Sequence, residues 1–345
     1  MLFFGDWIPT EGLDLGTLTS DEMKVINLEC AFCSRKKRIS KKAYPIVLEV
    51  EALDIIGQSR NCVVNIANNH TYDAGESAFH DLIEELDRRG VAYYGTTERP
   101  YIEIEDGKMR YFVVAGLSRS RSRGGALAAL EKIGEHLELL GNCGSQVVVT
   151  PHWGGESEYT PYPSPAQRSL AKKWIDAGAN AVFGHHSHTI QGVEYHQGKP
   201  IFYSLGNFHF PHEESALYPL TRFGLGVDFA KGEIRKTIIL EHRSGRTTVV
   251  EDFVKIAHVK KHIEDISDDL MVKKWSLRRW SRAVGRLYTD KNAASWRLRF
   301  GKNFLITLPK WLAAQMMPIT WLMRMGKILE NPDTRCRYEA FDNMV

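Results

Sequence analysis

The sequence predicts an α/β fold followed by a helical, basic C-terminal region. About the first 250 residues alternate short apolar runs with amphipathic stretches, which is typical of strands alternating with helices. Polar residues follow the C-terminal ends of several of these apolar runs. The composition then changes to one rich in arginine and tryptophan. We therefore divide the chain into a domain at residues 1–258 and a basic, Trp-rich region at residues 259–345.

The elements of the first domain follow from local patterns. The predicted strands are Leu2–Gly5, Val25–Leu28, Cys62–Ile66, Val91–Tyr94, Arg110–Ala115, Gln146–Thr150, Ala179–Phe183 and Pro200–Tyr203. The predicted helices are Glu76–Arg89, Ala126–Leu140 and Pro165–Ala177. Ser164 and Pro165 form an N-cap and N1 pair, and Gly178 suits a helix stop. Alternation in Phe223–Phe229 and Ile234–His242, around Lys231-Gly232, predicts an antiparallel hairpin.

Composition and charge narrow the class of protein. The chain has 345 residues, 43% hydrophobic and 25% charged, as in an ordinary globular protein. Residues 271–345 contain 15 Lys and Arg against 5 Asp and Glu, a net +10, which leaves −7 for residues 1–270 of a chain whose total is +3. Five cysteines are too few, and odd in number, for a secreted disulfide framework. Asp6 interrupts the short apolar start, so we predict no secretory signal and a cytoplasmic protein.

Candidate functional residues share one position in the pattern: each follows the C-terminal end of an apolar run. They are Asp6, Glu29, Asn68-Asn69-His70, His152, His185-His186-Ser187-His188 and Asn207. In open α/β sheets this edge is where ligands bind. A single such residue is more often a cap or a satisfied loop histidine, but packing does not explain the whole set. We therefore predict a binding site at this edge.

Imidazole, carboxylate and amide oxygen together favour Mn²⁺, Zn²⁺ or Fe²⁺ over soft copper. His186-x-His188, taken as an extended segment, places both rings on the same side, because strand side chains alternate. Such a pair suits one metal or two neighbouring metals. A carboxylate such as Glu29 is able to bridge two cations, which then activate a shared water and stabilise the charge of a transition state.

These segments resemble a known family. The motifs are Gly5-Asp6, Asn27-Leu28-Glu29, Ala67-Asn68-Asn69-His70 with Asp73-x-Gly75, His152-Trp153-Gly154, Gly184-His185-His186-Ser187-His188 and Ser204-Leu205-Gly206-Asn207-Phe208. In order and spacing they resemble the calcineurin-like metallophosphoesterases, and within them the CapA-like branch of capsule and poly-γ-glutamate synthesis proteins. The resemblance covers roughly Leu2 to Asp252. It implies a sandwich of two mixed sheets flanked by helices.

The resemblance also implies a role for each matching position. Asp6 and His188 would bind a first metal, and Glu29, at a position that is normally aspartate, would bridge to a second. Asn69, His152 and His186 would complete the second metal. There is one departure: Ile8 stands where the superfamily usually has the histidine of an Asp-x-His motif. It implies either a weak or exchangeable first site or an open position there for a substrate oxygen.

The implied acid lies beside the second site. His70 would protonate the leaving group or hydrogen-bond the developing oxyanion, and Asp73 would orient its ring. Glu156 and Glu158 either contribute a further carboxylate to the site or are solvated loop charges. Ser118-Arg119-Ser120-Arg121-Ser122-Arg123-Gly124 is either a phosphate-binding turn or a solvated loop.

The C-terminal region suggests a partner. Five of the eight tryptophans, Trp275, Trp280, Trp296, Trp311 and Trp321, lie among arginines there. Tryptophan and arginine on amphipathic helices suit an anionic membrane surface, so residues 271–345 predict attachment at the inner face of the membrane. Packing on the first domain or an oligomer contact explains the same pattern equally well, and nucleic-acid binding is the less favoured interpretation.

The predicted function is metal-dependent hydrolysis of an amide or phosphoester bond. The substrate would be a surface polymer or phosphoester, in the synthesis or remodelling of a capsule polymer such as poly-γ-glutamate or polysaccharide. Two alternatives remain open. One is metal-assisted, isomerase-like proton abstraction beside a carbonyl; the other is a non-catalytic, membrane-associated accessory role in polymer synthesis.

Overall fold

The computed structural model describes residues 1–13, 22–33, 45–58, 61–118, 126–141, 144–154, 161–210 and 219–271. Glu156 and Glu158, residues 119–124 of the basic run, and residues 272–345 of the C-terminal region lie outside these ranges. The predictions made for them therefore remain predictions.

Two mixed sheets form the body, as predicted. The strands are β1 (Leu2–Trp7), β2 (Lys24–Leu28), β3 (Ala31–Cys33), β4 (Val47–Glu49), β5 (Cys62–Asn65), β6 (Ala92–Tyr94), β7 (Tyr101–Asp106), β8 (Met109–Leu117), β9 (Gln146–His152), β10 (Ala181–Phe183), β11 (Val193–His196), β12 (Lys199–Phe202), β13 (Asn207–His209), β14 (Phe223–Ala230), β15 (Glu233–Arg243) and β16 (Arg246–Val249). The helices are α1 (Leu53–Gln58), α2 (Glu76–Arg89), α3 (Ile133–Leu140), α4 (Pro165–Asp176) and α5 (Phe253–Met271).

The first sheet has the order β16-β15-β14-β1-β2-β5-β6, with β13 pairing alongside β1. The second has the order β11-β12-β10-β9-β8-β7. Each sheet contains a group of neighbouring parallel strands, β1-β2-β5-β6 or β12-β10-β9-β8. Antiparallel strands lie on one side of this group in the first sheet and on both sides in the second. The carboxyl ends of the parallel strands in each sheet therefore share one edge.

The second sheet is buried on both faces, because alternate side chains along its strands enter different apolar clusters. Val113 and Val148 belong to the cluster between the sheets, where the Phe3 and Phe183 rings lie 4.6 Å apart. Val114 and Val149 belong to the cluster under α3 and α4. A near-continuous apolar strand is therefore the pattern that two covered faces require.

The local patterns predicted most elements correctly. All eight predicted strands are present, with bounds shifted by one or two residues, and α2 matches its prediction. The hairpin is also confirmed: β14 and β15 pair around Lys231 (φ 55°) and Gly232 (φ 82°), where two left-handed residues match the twist of the strands. Among the helices described, none is long and apolar enough to span a membrane.

The predicted helix Ala126–Leu140 is wrong in its first part. The helix α3 begins at Ile133, after a 3₁₀ turn at Leu130–Lys132. Residues 126–129 are extended instead, because Leu127 bridges to Thr96 and Ala129 bridges to Leu117. Backbone pairing with distant segments here overrides an alanine-rich local preference for helix.

Candidate metal centre

The predicted ligands converge where the strands end. Asp6 lies near the end of β1, and Glu29 directly follows β2. Asn69 follows β5, His152 ends β9, and His186 and His188 follow β10. The structure brings all six together, although they come from both sheets. Except for Asn69, which is partly exposed, the side chains are buried, with Asp6 and Glu29 at 0% exposure.

Glu29 joins two groups of ligand-type atoms. Asp6, Glu29 and His188 form one group, and Glu29, His152 and His186 form the other. Within each group the candidate ligand atoms lie within 4.8 Å of one another. Glu29 Oε1 is 3.7 Å from His188 Nε2 and 3.6 Å from His152 Nε2, so it faces both groups. Carboxylate and imidazole at these separations fit a pair of divalent cations that share one carboxylate.

Asn69 adds an amide oxygen to the second group. Its Oδ1 lies 2.6 Å from His152 Nε2, which is the same nitrogen that faces Glu29. The His152 and His186 rings are in contact, with centroids 4.6 Å apart. The second group therefore presents two imidazoles, a carboxylate and an amide oxygen, a complete donor set for a borderline metal.

The charges suit a cation. Burial acts to raise the pKa of Asp6. Opposing interactions outweigh burial and lower this pKa to about 2: the hydrogen bond from His185, the charges of His188 and His185, and the Asn27 amide. Burial, followed by the neighbouring histidines, lowers the pKa of His152 well below its ordinary value. An ionised carboxylate and a neutral imidazole are the forms that coordinate metals.

The backbone at the paired histidines differs from the extended segment that we predicted. His186 has φ 94° and His188 has φ 56°, and neither lies in a strand. Such values are strained for side chains with a Cβ and persist only where the surroundings impose them. The His186 backbone N donates to Asp6 Oδ2 at 3.1 Å, which ties this turn to β1. The two rings consequently enter different groups, with centroids 6.3 Å apart.

His70 lies beside the shared carboxylate. Asp73 Oδ2 is 2.6 Å from His70 Nδ1 and also accepts the Ile46 backbone N–H at 2.9 Å. The other ring nitrogen, Nε2, is 3.9 Å from Glu29 Oε1. The ring is therefore held at Nδ1 by a carboxylate and presents Nε2 to the metal-ligand groups, which is the arrangement a proton donor needs.

Sequence reasoning assigned no role to several residues that orient these groups. Asn27 Nδ2 donates to Asp6 Oδ1 at 2.8 Å and lies 3.3 Å from His152 Nδ1. His185 Nδ1 lies 3.5 Å from Asp6 Oδ1. The spacing Asn27-x-Glu29 held a signal for the first, because alternate residues of a strand share a face. No local signal distinguishes His185 from its neighbours.

Ile8 offers no ligand atom to the first group. Its side chain is 3% exposed, and its backbone N donates to His209 O at 2.9 Å. Asp6, Glu29 and His188 are thus the members of the first group within the described chain.

Asn68 fixes two backbone amides beside the ligand groups. Its Oδ1 accepts from the N–H groups of His70 and Thr71.

The chain has relatives among capsule synthesis proteins. Residues 15–212, more than half of the chain, match the family described as bacterial capsule synthesis protein PGA_cap. The capsule biosynthesis protein CapA of Bacillus anthracis is 31% identical over 177 residues, which cover 46% of this chain and 43% of that protein. The PGA biosynthesis protein CapA of Bacillus subtilis is 30% identical over 206 residues, 51% of each chain.

Two further comparisons are more distant. A Mycobacterium tuberculosis protein named "Probable polyglutamine synthesis accessory protein" is 24% identical over 228 residues, which cover 59% of this chain and 60% of that one. The chain thus spans about half the length of the curated relatives it matches. A phosphatase structure from Mycoplasma pneumoniae superposes with a TM-score of 0.43 at 13% identity, over 74% of this chain and 95% of that chain.

The family match lies across the motifs that build the candidate metal centre, from Glu29 to Asn207. It agrees with the resemblance that those motifs predicted. The chain belongs to the bacterial capsule synthesis protein PGA_cap family, and the CapA proteins are among its relatives.

Proposed function

We propose that this protein is a metal-dependent hydrolase that cleaves an amide or phosphoester bond during synthesis or remodelling of a capsule polymer. The observation that carries the proposal is the pair of ligand groups that share Glu29, with His70 Nε2 3.9 Å from the shared carboxylate. Ligands for two neighbouring cations with a proton donor beside them are the components that hydrolysis of such bonds requires.

The two donor sets support the metal ligands of this proposal. Asp6, Glu29 and His188 would hold the first divalent ion, and Glu29, Asn69, His152 and His186 the second. Mn²⁺, Zn²⁺ and Fe²⁺ all accept this mixture of carboxylate, amide oxygen and imidazole. When bound, the ions supply a Lewis acid and lower the pKa of water. The first ion has fewer protein ligands, so we expect it to dissociate more readily than the second.

His70 supplies the proton in this scheme. The proton leaves Nε2 for the departing nitrogen or oxygen atom, while the negative charge of Asp73 stabilises the protonated ring through Nδ1. Asp73 also accepts the Ile46 N–H, so its carboxylate cannot rotate away from the ring without losing a second hydrogen bond. The dyad therefore holds both the orientation and the charge of the acid.

The names of the relatives support the choice of pathway. The two Bacillus relatives are named for capsule or PGA biosynthesis, which favours a capsule polymer such as poly-γ-glutamate or polysaccharide as the context of the reaction. A γ-glutamyl amide and a phosphoester both develop an oxyanion that a divalent ion stabilises. Both bond types therefore remain in the proposal.

A second candidate has a specific observation in its favour. The Mycobacterium tuberculosis relative is named an accessory protein of polyglutamine synthesis, which suits a non-catalytic role. In that role the metal groups would stabilise a binding surface for a polymer or a synthase. This candidate predicts bound metal without turnover.

The test is to purify the full chain without chelator, measure its metals by elemental analysis and assay phosphoester and γ-glutamyl substrates. We expect between one and two metals per chain and turnover of one substrate class, which the His186→Ala variant loses. A metal-free protein that still supports polymer synthesis would contradict the hydrolase proposal. Bound metal with no turnover across both classes would favour the accessory role.

A further inference from the structure

A row of hydrogen-bonded side chains, all buried except the partly exposed Thr10, lies behind the first ligand group. The Oγ1 atom of Thr10 is 3.0 Å from His209 Nε2, and His209 Nδ1 is 2.7 Å from Thr247 Oγ1. The same Thr247 oxygen is 2.8 Å from His242 Nδ1, and His242 Nε2 is 3.0 Å from the Asn207 backbone oxygen. His209, His242 and Thr247 are all at most 5% exposed. The sequence patterns gave none of these contacts.

The direction of every hydrogen bond in this row of side chains follows from the Asn207 backbone oxygen at its end. A backbone carbonyl only accepts, so His242 Nε2 carries a proton and, in a neutral ring, Nδ1 accepts. Thr247 must then donate its single hydroxyl proton to His242 and accept from His209 Nδ1. This leaves His209 Nε2 as the acceptor for the Thr10 hydroxyl. The protons therefore all point from Thr10 towards Asn207.

Both rings are neutral, as that direction requires. Burial lowers the pKa of His209 to about 4, although the nearby backbone carbonyls of Glu11 and Thr10 act in the opposite sense. Burial also lowers the pKa of His242 to about 4, against the effect of the Asn207 carbonyl. Aligned hydrogen bonds of this kind polarise and strengthen one another in a low-dielectric interior.

Asn207 joins this chain to a candidate metal ligand. Its Nδ2 donates to the His188 backbone oxygen at 3.4 Å. This hydrogen bond turns the Asn207 Oδ1 atom towards the His188 ring, where it lies 3.1 Å from Nδ1. Asp6 Oδ2 is a second oxygen facing that nitrogen, at 3.5 Å. Both oxygens accept, so Nδ1 carries the proton. The lone pair is then on Nε2, the atom 3.7 Å from Glu29 Oε1.

We propose that Asn207 is a positioning residue that fixes His188 as the Nδ1–H tautomer, with Nε2 as the metal-binding atom, and that the Thr10–His209–Thr247–His242 chain holds Asn207 in place. The inference rests on the proposed metal site. Outer hydrogen bonds of this kind set the tautomer and orientation of ligand histidines. His188 needs them because its φ of 56° is strained and because Ile8 supplies no further ligand.

The first experiment requires neither activity nor metal. Two-bond ¹H–¹⁵N spectra of the metal-free full chain, labelled at histidine, distinguish the two tautomers of each ring. Single His→Gln variants assign the signals. We expect the Nδ1–H form for His188 and His209 and the Nε2–H form for His242. Any other tautomer at His188 would overturn the inference.

The second experiment measures metal affinity by cobalt titration, which follows the two sites spectroscopically. Asn207→Ala should weaken the first site by about 10- to 100-fold and leave the second unchanged. Asn207→Asp should restore the affinity, because a carboxylate oxygen also accepts from Nδ1–H. Thr247→Val should weaken the first site to a smaller extent. Its matched control is Thr248→Val, at an exposed neighbouring position on β16, which should have no effect.

The outcomes separate the two proposals. A full chain that binds no metal would overturn the proposed function and, with it, this role of Asn207. Normal metal binding combined with unchanged first-site affinity in Asn207→Ala would overturn the inference alone. If Asn207→Asp failed to restore both the metal affinity of the first site and the His188 tautomer, Asn207 would contribute only packing in the core.

Discussion

His70 differs from the histidines of the two ligand groups in how its ring is held. Asp73 Oδ2 lies 2.6 Å from its Nδ1, and its side chain is 11% exposed. His152, by contrast, contacts Asn69, Asn27 and Glu29 within the groups themselves. We propose that His70, at the margin of the site with Asp73 behind its ring, transfers a proton rather than coordinating a metal.

His70→Ala should therefore keep its metals and lose turnover. We expect a decrease in kcat of about 10²- to 10⁴-fold, the usual range for a lost general acid, with metal content unchanged. Asp73→Asn should decrease kcat less, because the ring remains while its orienting charge is lost. Steady-state kinetics and elemental analysis of the same samples provide the measurement. Loss of metal from His70→Ala would instead make this residue a ligand.

Removal of a second-group ligand should instead remove bound metal. His186→Ala and Asn69→Ala each delete a donor atom from the group around Glu29 and His152, so we expect most of the tightly bound metal to be lost. A suitable control is His196→Ala, because His196 binds Asp176 at the surface, 2.7 Å away. Wild-type metal content in both test variants would show that the ligand assignment is wrong.

At the scale of the element, α4 shows how a helix start is specified beside the site. Ser164 Oγ accepts from the Gln167 backbone N at 3.2 Å, and Gln167 Oε1 accepts from the Ser164 backbone N at 2.8 Å. This capping box satisfies two backbone donors that the first helical turn would leave open. Gly154, in the loop after His152, lies against the Gln167 side chain. The cap therefore lies against the segment that leaves a candidate ligand.

Ser164→Ala should lower the free energy of unfolding by about 1 kcal/mol, because it removes an N-cap acceptor. Ser169→Ala is the matched control, since Ser169 is exposed in the middle of the same helix. That control should be neutral or slightly stabilising, because alanine has the higher helix propensity. Urea denaturation of both variants gives the comparison. Equal effects of the two substitutions would mean that the capping box contributes nothing.

At the scale of the whole molecule, the buried carboxylate of Glu194 on β11 connects α4 with the residue that follows β12, and Arg168 extends this cluster to α5. Glu194 accepts from Arg168 at 2.9 Å through both of its oxygens, from Lys172 at 2.5 Å and from Tyr203 Oη at 2.9 Å. Arg168 also donates to the Leu270 backbone oxygen near the end of α5 at 2.9 Å. The cluster thus anchors the helix that leads into the basic C-terminal region.

Glu194→Gln should lower the free energy of unfolding by about 2 kcal/mol at pH 7, between the values for exposed and fully buried pairs. Burial raises the pKa of Glu194, but Arg168 and Lys172 outweigh it and lower this pKa below its ordinary value of 4.5. The stabilisation is therefore present above pH 4.5 and is lost as pH falls through the lowered pKa.

The difference between the unmodified chain and Glu194→Gln should accordingly shrink on acidification, as measured by urea unfolding at pH 7 and below pH 4. Glu135→Gln is the control, because Glu135 pairs with Lys132 at 2.6 Å on the surface, where both side chains are about 60% exposed. We expect Glu135→Gln to change the free energy of unfolding by less than about 0.5 kcal/mol. A pH-independent effect at Glu194 would indicate packing rather than charge.

The net +10 of residues 271–345 also leads to a prediction for the whole molecule. We propose that this region attaches the protein to an anionic membrane face, where each basic residue contributes about 1 kcal/mol that salt attenuates. The full chain should co-sediment with anionic vesicles, less so as salt rises, and bind neutral vesicles weakly. Replacing Arg278, Arg279, Arg282 and Arg286 by glutamine should weaken that binding. Indifference of the unmodified chain to vesicles would favour packing on the first domain instead.

The sequence by itself determined most of the strands and helices, and the family resemblance of its motifs implied the candidate ligands. The α4 cap and the β14–β15 turn are recognisable because their causes act within about four residues of chain. The family resemblance of the motifs likewise implied Asp6, Glu29, Asn69, His152, His186 and His188 as one set, all of which the fold brings together. Chemistry that depends on residue type and strand position can be predicted in this way.

The tertiary structure decided what depends on distant partners. The left-handed turn at His186 is held by Asp6, 180 positions away in the chain. Residues 126–129 are extended because remote strands pair with them, and Thr247 joins two histidines that no spacing relates. Local patterns record the preferences of a segment, whereas long-range contacts overrule those preferences wherever the energy of pairing or of a buried hydrogen bond exceeds the local cost.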